Sequence, residues 1–321
     1  MSAPPREPAG ALLAWGRLLR LSLTPSALAD IAAGVVLGAG AWPGGARPFL
    51  LMAASACVYH GGMALNDWAD RAEDARGGRP RPIPSGAIRP PAALVLALAL
   101  LLAGPLVAWA VAPRCGLVLG LVAACAALYD LAGRGPLRGP LLLAACRAGN
   151  LGAGLALAST LVPFRVLLLL APLAYGLYVF LVSRLARLED ADPAAGALRP
   201  APSLLAMILA LLALGGVAAF LAAHLSGAEA AGVPTWTLGL LPITLALAGA
   251  RGLGRSLASL GFAPWQAADV QRVAGMGLRR LLVASAALAL GAGTPAGVVV
   301  AALILCGYPL SFALRRVFPP T

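Results

Sequence analysis

Asp67, Asp70 and Asp74 follow one another at i, i+3 and i+7. On a helix this spacing stacks three carboxylates on one face. Like charges there repel, so the helix itself gains nothing from the pattern. A hard divalent cation reverses the argument, because magnesium takes carboxylate oxygens together with the oxygens of a substrate phosphate. Asn66, four residues before Asp70, shares the face and can orient a ligand or the water shell of the metal. Gly77 and Gly78 end the helix; Arg79, Arg81 and Arg89 follow among prolines, and Pro84-Ser85-Gly86 forms a turn. An acidic face, a glycine break and an Arg-Pro run in that order read as a site for a magnesium-bound diphosphate rather than as a solvated acidic loop.

Other polar residues stand at membrane depth or at the same end of their segments. Arg147 lies about seven residues into an apolar stretch, roughly 10 Å deep at the helical rise, and Asn150 lies nearly one turn further. Asp30 reaches a similar depth in the first apolar stretch. Ionisable groups so placed are functional candidates. Two roles are open for Arg147: an ion pair with Asp30, or, with Asn150, the grip on a bound anion. Tyr129 closes another apolar stretch, and Arg134 and Arg138 follow it within reach of a diphosphate at the same face. A second acidic loop, Ser183 to Gly196, carries Glu189, Asp190 and Asp192. Asp190 and Asp192 are further candidate metal ligands, although their spacing makes no clean helical face. His60 stands two turns before Asp67 and reads as a packed core histidine.

The elements that must position these groups are membrane helices. The chain of 321 residues is 60% hydrophobic and 11% charged, with a mean hydropathy of +0.88, which leaves too little polar surface for a soluble domain. Ten apolar windows are long enough to span a bilayer, near 22–42, 48–65, 91–112, 115–131, 140–161, 164–182, 202–224, 235–250, 279–293 and 295–313. The last pair is short and glycine-rich at its junction, so nine spans are an alternative. All 24 basic residues are arginines. With the N-terminus cytoplasmic and ten spans, 20 of the 24 fall on the cytoplasmic side, as the positive-inside rule requires. The N-terminus and both acidic loops are therefore expected in the cytoplasm. The net charge of +12 reports topology and contact with anionic membrane lipid, and nucleic acid is excluded as a partner because the arginines are divided among six segments. Residues 1–15 are expected to be a disordered cytoplasmic tail, and 16–321 a single polytopic transmembrane domain. The five cysteines show no paired spacing and read as small packing residues. Gly34 and Gly38 form a G-x-x-x-G that suits close helix packing.

The run N-D-W-A-D-R-A-E-D, Asn66 to Asp74, resembles the first motif of the UbiA superfamily of intramembrane prenyltransferases. R-P-I-P-S-G, Arg81 to Gly86, resembles the usual continuation, and C-R-A-G-N, Cys146 to Asn150, resembles the family's C-R-x-x-N. Asp30, Ser183-Arg184, Gln271 to Leu278 and the R-R-V-F ending look closer to the EboC-like branch. The resemblance implies an all-α integral membrane protein, nine to ten helices in a UbiA-like bundle around a chamber open to lipid. It also implies a magnesium-dependent enzyme that moves a prenyl group from a prenyl diphosphate to a lipophilic, usually aromatic, acceptor. Catalysis would then rest on Asn66, Asp67, Asp70 and Asp74, with Arg81, Arg134, Arg147, Asn150 and Tyr129 at the substrates. The expected location is a bacterial inner membrane. The second motif departs from the family's D-x-x-x-D, and the lysines that commonly contact diphosphate are absent. A non-catalytic carrier, or export or assembly partner, for a lipophilic metabolite is the alternative; a secondary transporter is a third, disfavoured because the acids cluster at one face.

Overall fold

A computed structural model describes residues 8–132, 135–162, 166–190, 204–210, 235–260 and 265–318, and among these the elements are helical. The first helix, α1 (Pro8–Leu18), starts within the stretch expected to be a tail. It forms because Ala14 and Leu18 find burial against the bundle. A short 3₁₀ turn (Leu21–Leu23) leads into α2 (Thr24–Ala39). Then follow α3 (Arg47–Ala69), α4 (Arg71–Arg76), α5 (Pro90–Val111), α6 (Pro113–Leu131), α7 (Arg138–Ala158) and α8 (Leu170–Ala186). The C-terminal part contains α9 (Thr235–Leu260), α10 (Ala267–Arg279), α11 (Leu281–Leu290) and α12 (Pro295–Val317).

Eight segments among the described residues are long and apolar enough to cross a membrane: Leu21–Ala39, Arg47–Ala69, Pro90–Val111, Pro113–Leu131, Arg138–Ala158, Val166–Ala186, Ala267–Leu290 and Pro295–Val317. They match eight of the ten expected windows. Of the others, 235–250 falls in α9, and most of 202–224 lies outside the described residues. The window at 279–293 is displaced: the helical span begins at Ala267, twelve residues earlier. Asp269 and Arg272 lower the hydropathy there without interrupting the helix. The Asp269 carboxylate accepts the Gln266 N–H at 3.0 Å, which secures the helix start.

The bundle is organised about α2 and α7. One face of α2, with Ile31 and Val35, packs into an apolar core shared with α3, α5 and α6. The other, with Ala33, Val36 and Leu37, packs into a core shared with α8, α11 and α12. Helix α7 is divided in the same way, with Ala153 and Leu157 on one side and Leu151 and Leu155 on the other. The two helices touch backbone to backbone where Gly34 meets Gly154. A Cβ on Gly34 would lie 2.2 Å from the Leu151 carbonyl oxygen, and one on Gly154 2.4 Å from that of Ile31. In lipid, where apolar surface gives helices little reason to associate, such small-residue contacts let packing and polar bonds act at short range. Asp30 and Asn150 each stand four residues before one of these glycines, so the close approach brings them together.

Candidate active site

Helix α3 ends on the first acidic motif and α4 continues it. Asp70 caps the junction; its N–H donates to Asn66 O at 3.0 Å, and the Asp74 N–H donates to Asp70 O at 2.9 Å. The helical run therefore persists through Asp74, and Gly77 ends it as expected. Asp67 and Asp74 are almost wholly buried, at 1% and 0% exposure. Two such carboxylates need counter-charge, and arginines supply it. Arg81 Nη1 lies 2.8 Å from Asp67 Oδ1 and 3.2 Å from Asp74 Oδ2, so one nitrogen reaches both acids. Arg79 adds a contact to Asp74 Oδ1 at 3.1 Å. The Arg-Pro run can fold back in this way because Gly78, between Asp74 and Arg79, adopts φ 63°, and the Arg79 N–H donates to Asp74 O at 3.0 Å.

Arg20 completes this cluster, a role the sequence did not reveal. Its Nη2 donates to Asp67 Oδ1 at 3.1 Å and to Asn66 Oδ1 at 3.3 Å. Among the described residues it is the sole non-glycine with positive φ, at 50°. A left-handed L-residue costs about 1–2 kcal/mol, and here that conformation delivers the guanidinium to the acids. Asn66 Nδ2 faces the other way, donating to Asp130 Oδ1 at 3.0 Å and to Asp70 Oδ2 at 3.4 Å. Asp130, at the end of α6, is a second member that only the fold reveals.

Among the described residues no three Asp, Glu, His or Cys side chains converge closely enough to hold a metal in this geometry; Arg81 stands between Asp67 and Asp74. The donor set nonetheless fits a hard cation. Asp67 Oδ2 is buried and accepts no hydrogen bond, and Asp74 Oδ2, equally buried, has only its ion-pair contact with Arg81; carboxylate oxygens are what magnesium takes. Arg134 and Asp192 lie outside the described residues, and so does the side chain of Asp190, whose backbone ends a 3₁₀ turn (Arg187–Asp190).

Beside the acids opens a cavity of about 540 Å³, lined by Asn66, Arg20, Asp130, Tyr129, Tyr59 and Arg147 among others. Arg147 enters it from a buried network. Its Nη1 donates to Asp30 Oδ2 at 2.8 Å and its Nη2 to Ser26 Oγ at 2.8 Å. Asp30, 0% exposed, also accepts from Asn150 Nδ2 at 3.2 Å, Tyr175 OH at 2.6 Å and Ser285 Oγ at 3.1 Å. Asn150 is held further by the Ala27 carbonyl at 2.9 Å and by Ser55 Oγ, which donates to its Oδ1 at 2.6 Å. The ion-pair role of Arg147 is thus realised, and 19% of its side chain remains exposed, so the guanidinium is braced and presented to the cavity at once. His60 is a packed histidine: its ring nitrogens lie 2.7 Å from Leu19 O and 3.2 Å from Thr24 Oγ1.

A family model for the UbiA prenyltransferase family matches residues 27–261. This chain belongs to that family. Membership sets it among the prenyltransferases, and with the eight long apolar segments among the described residues it is an integral multi-pass membrane protein. A digeranylgeranylglyceryl phosphate synthase of Methanothrix thermoacetophila is 44% identical over 68 residues, which span 21% of this chain and 26% of that protein. A UbiA homologue from Archaeoglobus fulgidus, solved with DMAPP and Mg2+, superposes with a TM-score of 0.60 at 17% identity, over 84% of this chain and 98% of that one. The apo UbiA homologue from Aeropyrum pernix K1 gives 0.55 at 23% identity, over 82% and 96%. These structures share the fold of the present chain.

Proposed function

We propose that the protein transfers a prenyl group from a prenyl diphosphate to a lipophilic, aromatic-type acceptor, with magnesium held by Asp67, Asp70 and Asp74. The observation that carries this reading is Asp67 Oδ2, a buried carboxylate oxygen that accepts no hydrogen bond, next to buried Asp74, whose Oδ2 meets Arg81 Nη1 at 3.2 Å, both set among Arg20, Arg79 and Arg81 beside a membrane-level cavity. The solved Archaeoglobus fulgidus homologue bound to DMAPP and Mg2+ and another bound to GPP and Mg2+ support the ligand pairing. Bound magnesium would neutralise the diphosphate and so make it a better leaving group.

The chain's own residues do the rest. Arg20 and Arg81, released in part from the acids, neutralise diphosphate oxygens; bidentate guanidinium contacts suit them. Asn66 orients the group through its amide. Arg147, its orientation fixed by Asp30 and Ser26, meets the diphosphate from the cavity side. Loss of the diphosphate leaves an allylic cation, which must be kept from water. Tyr59 and Tyr129 offer aromatic faces to it, and Val58, Val122, Leu143 and Val182 line the same space without competing nucleophiles. Arg134, Asp190 and Asp192 remain candidates on the sequence alone. We place the acid face in the cytoplasm on the arginine distribution.

Purified protein with magnesium, geranylgeranyl diphosphate and a panel of phenols and quinone precursors should release diphosphate and form prenylated product. Donor binding without turnover across the panel would instead favour the carrier reading.

A further inference from the structure

The bend that carries Arg20 has no residue of its own to hold it. Leu19-Arg20-Leu21-Ser22-Leu23 contains no glycine, proline or asparagine. Arg20 nonetheless adopts φ 50°, ψ 49°, a left-handed conformation that residues with a Cβ disfavour. With ordinary helical angles there, α1 would continue toward α2 and the guanidinium would leave Asn66 and Asp67. A side chain of α3 spans the bend. His60 Nδ1 lies 2.7 Å from Leu19 O, and its Nε2 lies 3.2 Å from Thr24 Oγ1, one partner on each side of Arg20. The Leu19 carbonyl only accepts, so Nδ1 carries the hydrogen and donates it. That carbonyl stands just past the end of α1, where no further helical turn supplies a donor. The neutral ring then leaves Nε2 to accept from the Thr24 hydroxyl, which also lies 2.8 Å from Leu21 O.

We infer that His60 is a positioning residue, which clamps this bend so that Arg20 is held at Asn66 and Asp67 ready for the donor diphosphate. The inference rests on the prenyl-transfer reading for the diphosphate and deepens it. His60, Asn66 and Asp67 stand on one continuous helix, α3, about 10 Å apart at the helical rise. The same rigid element therefore fixes where the Arg20 backbone turns and where its guanidinium ends, on Asp67 Oδ1 and Asn66 Oδ1. Arg81 keeps its own hold on Asp67, so loss of the clamp frees Arg20 without leaving that acid bare. What is lost is pre-organisation: a cavity-lining cation that is already placed loses less freedom when an anion arrives. His60 acts through Arg20 and not on the substrate itself.

The test titrates the full-length protein in detergent, with magnesium, against two probes. Geranylgeranyl thiolodiphosphate is a non-ionising donor analogue; geranylgeraniol has the tail without the charge. His60→Phe keeps a ring and removes both nitrogens. It should weaken thiolodiphosphate binding about tenfold, the worth of a charge-assisted contact, and leave geranylgeraniol binding unchanged. Arg20→Gln should do the same, and the double variant should bind no more weakly than Arg20→Gln alone, because the two losses are one. His60→Gln, whose amide can donate to Leu19 O, should recover part of the affinity, and Thr24→Val should lose about threefold. Losses that multiply in the double variant, unchanged thiolodiphosphate affinity in His60→Phe, or equal weakening of geranylgeraniol would each overturn the clamp. Phenylglyoxal labelling without donor, read by mass spectrometry, gives a second measurement: Arg20 should be modified faster in His60→Phe and in Thr24→Val than in the parent, and equal rates would overturn the clamp. If the thiolodiphosphate fails to bind the parent, the transfer reading falls, while the labelling still decides the clamp. If His60→Phe does not fold, Thr24→Val carries both measurements.

Discussion

Arg147 and Asp30 meet at 2.8 Å across the α2–α7 contact, and their surroundings are unequal. Asp30 keeps three other donors, from Asn150, Tyr175 and Ser285, whereas Arg147 keeps Ser26 and the face of the Tyr59 ring, 5.9 Å from its guanidinium carbon, and otherwise turns to the cavity. Asp30→Ala should therefore cost more than Arg147→Ala. Leaving an uncompensated charge at depth costs about 3–5 kcal/mol, and the three orphaned hydroxyl and amide donors add to it. The double substitution should recover part of the loss. Because Arg147 also faces the cavity, Arg147→Ala should weaken donor binding as well. Thermal melts of the four proteins, with and without magnesium and donor, check both effects; strictly additive losses would contradict the pairing.

Arg81 holds Asp67 and Asp74 with a single nitrogen. In Arg81→Ala two buried carboxylates lose their shared counter-charge, and the melt should fall. Magnesium, added without donor, should restore more of the melting temperature in this variant than it adds to the parent. A magnesium titration followed by thermal melt reads the difference, and equal shifts in the two proteins would place the cation elsewhere.

The glycine contact that sets the α2–α7 distance should be intolerant of a methyl group. Gly154→Ala places a Cβ 2.4 Å from the Ile31 carbonyl oxygen. The helices must part, and the Asn150–Asp30 bond one turn away must lengthen. Overpacking of this kind costs about 1–3 kcal/mol or more, and donor binding should fall with it. Gly152→Ala on the same helix meets nothing within 4 Å and should melt like the parent.

How much of this the sequence disclosed depends on how local each relationship is. Asp67, Asp70, Asp74 and Arg81 lie within fifteen residues, so helical spacing and the glycine break were enough to group them. Asp30 and Arg147 were legible through equal depth, since a lone charge in a span needs a partner. Arg20 was hidden, because an arginine just before a first span reads as a topological charge and its positive φ is invisible in the sequence. Tyr175 and Ser285 reach Asp30 from 145 and 255 residues away, and neither residue type signals such a contact. Helix α10 was read as loop because Asp269, Gln271 and Arg272 depress its hydropathy. The carboxylate three residues after Gln266 was the signal that could have found its start.

The most direct test of the account is the magnesium dependence of diphosphate release from geranylgeranyl diphosphate by the parent, Asp67→Asn and Asp74→Asn proteins. Both substitutions preserve shape and remove one charge from the buried pair. The account predicts release that requires magnesium in the parent, and that falls on the order of a hundredfold in each variant, with magnesium required at higher concentration. Release at the parent rate and with the parent's magnesium dependence in both variants would contradict it.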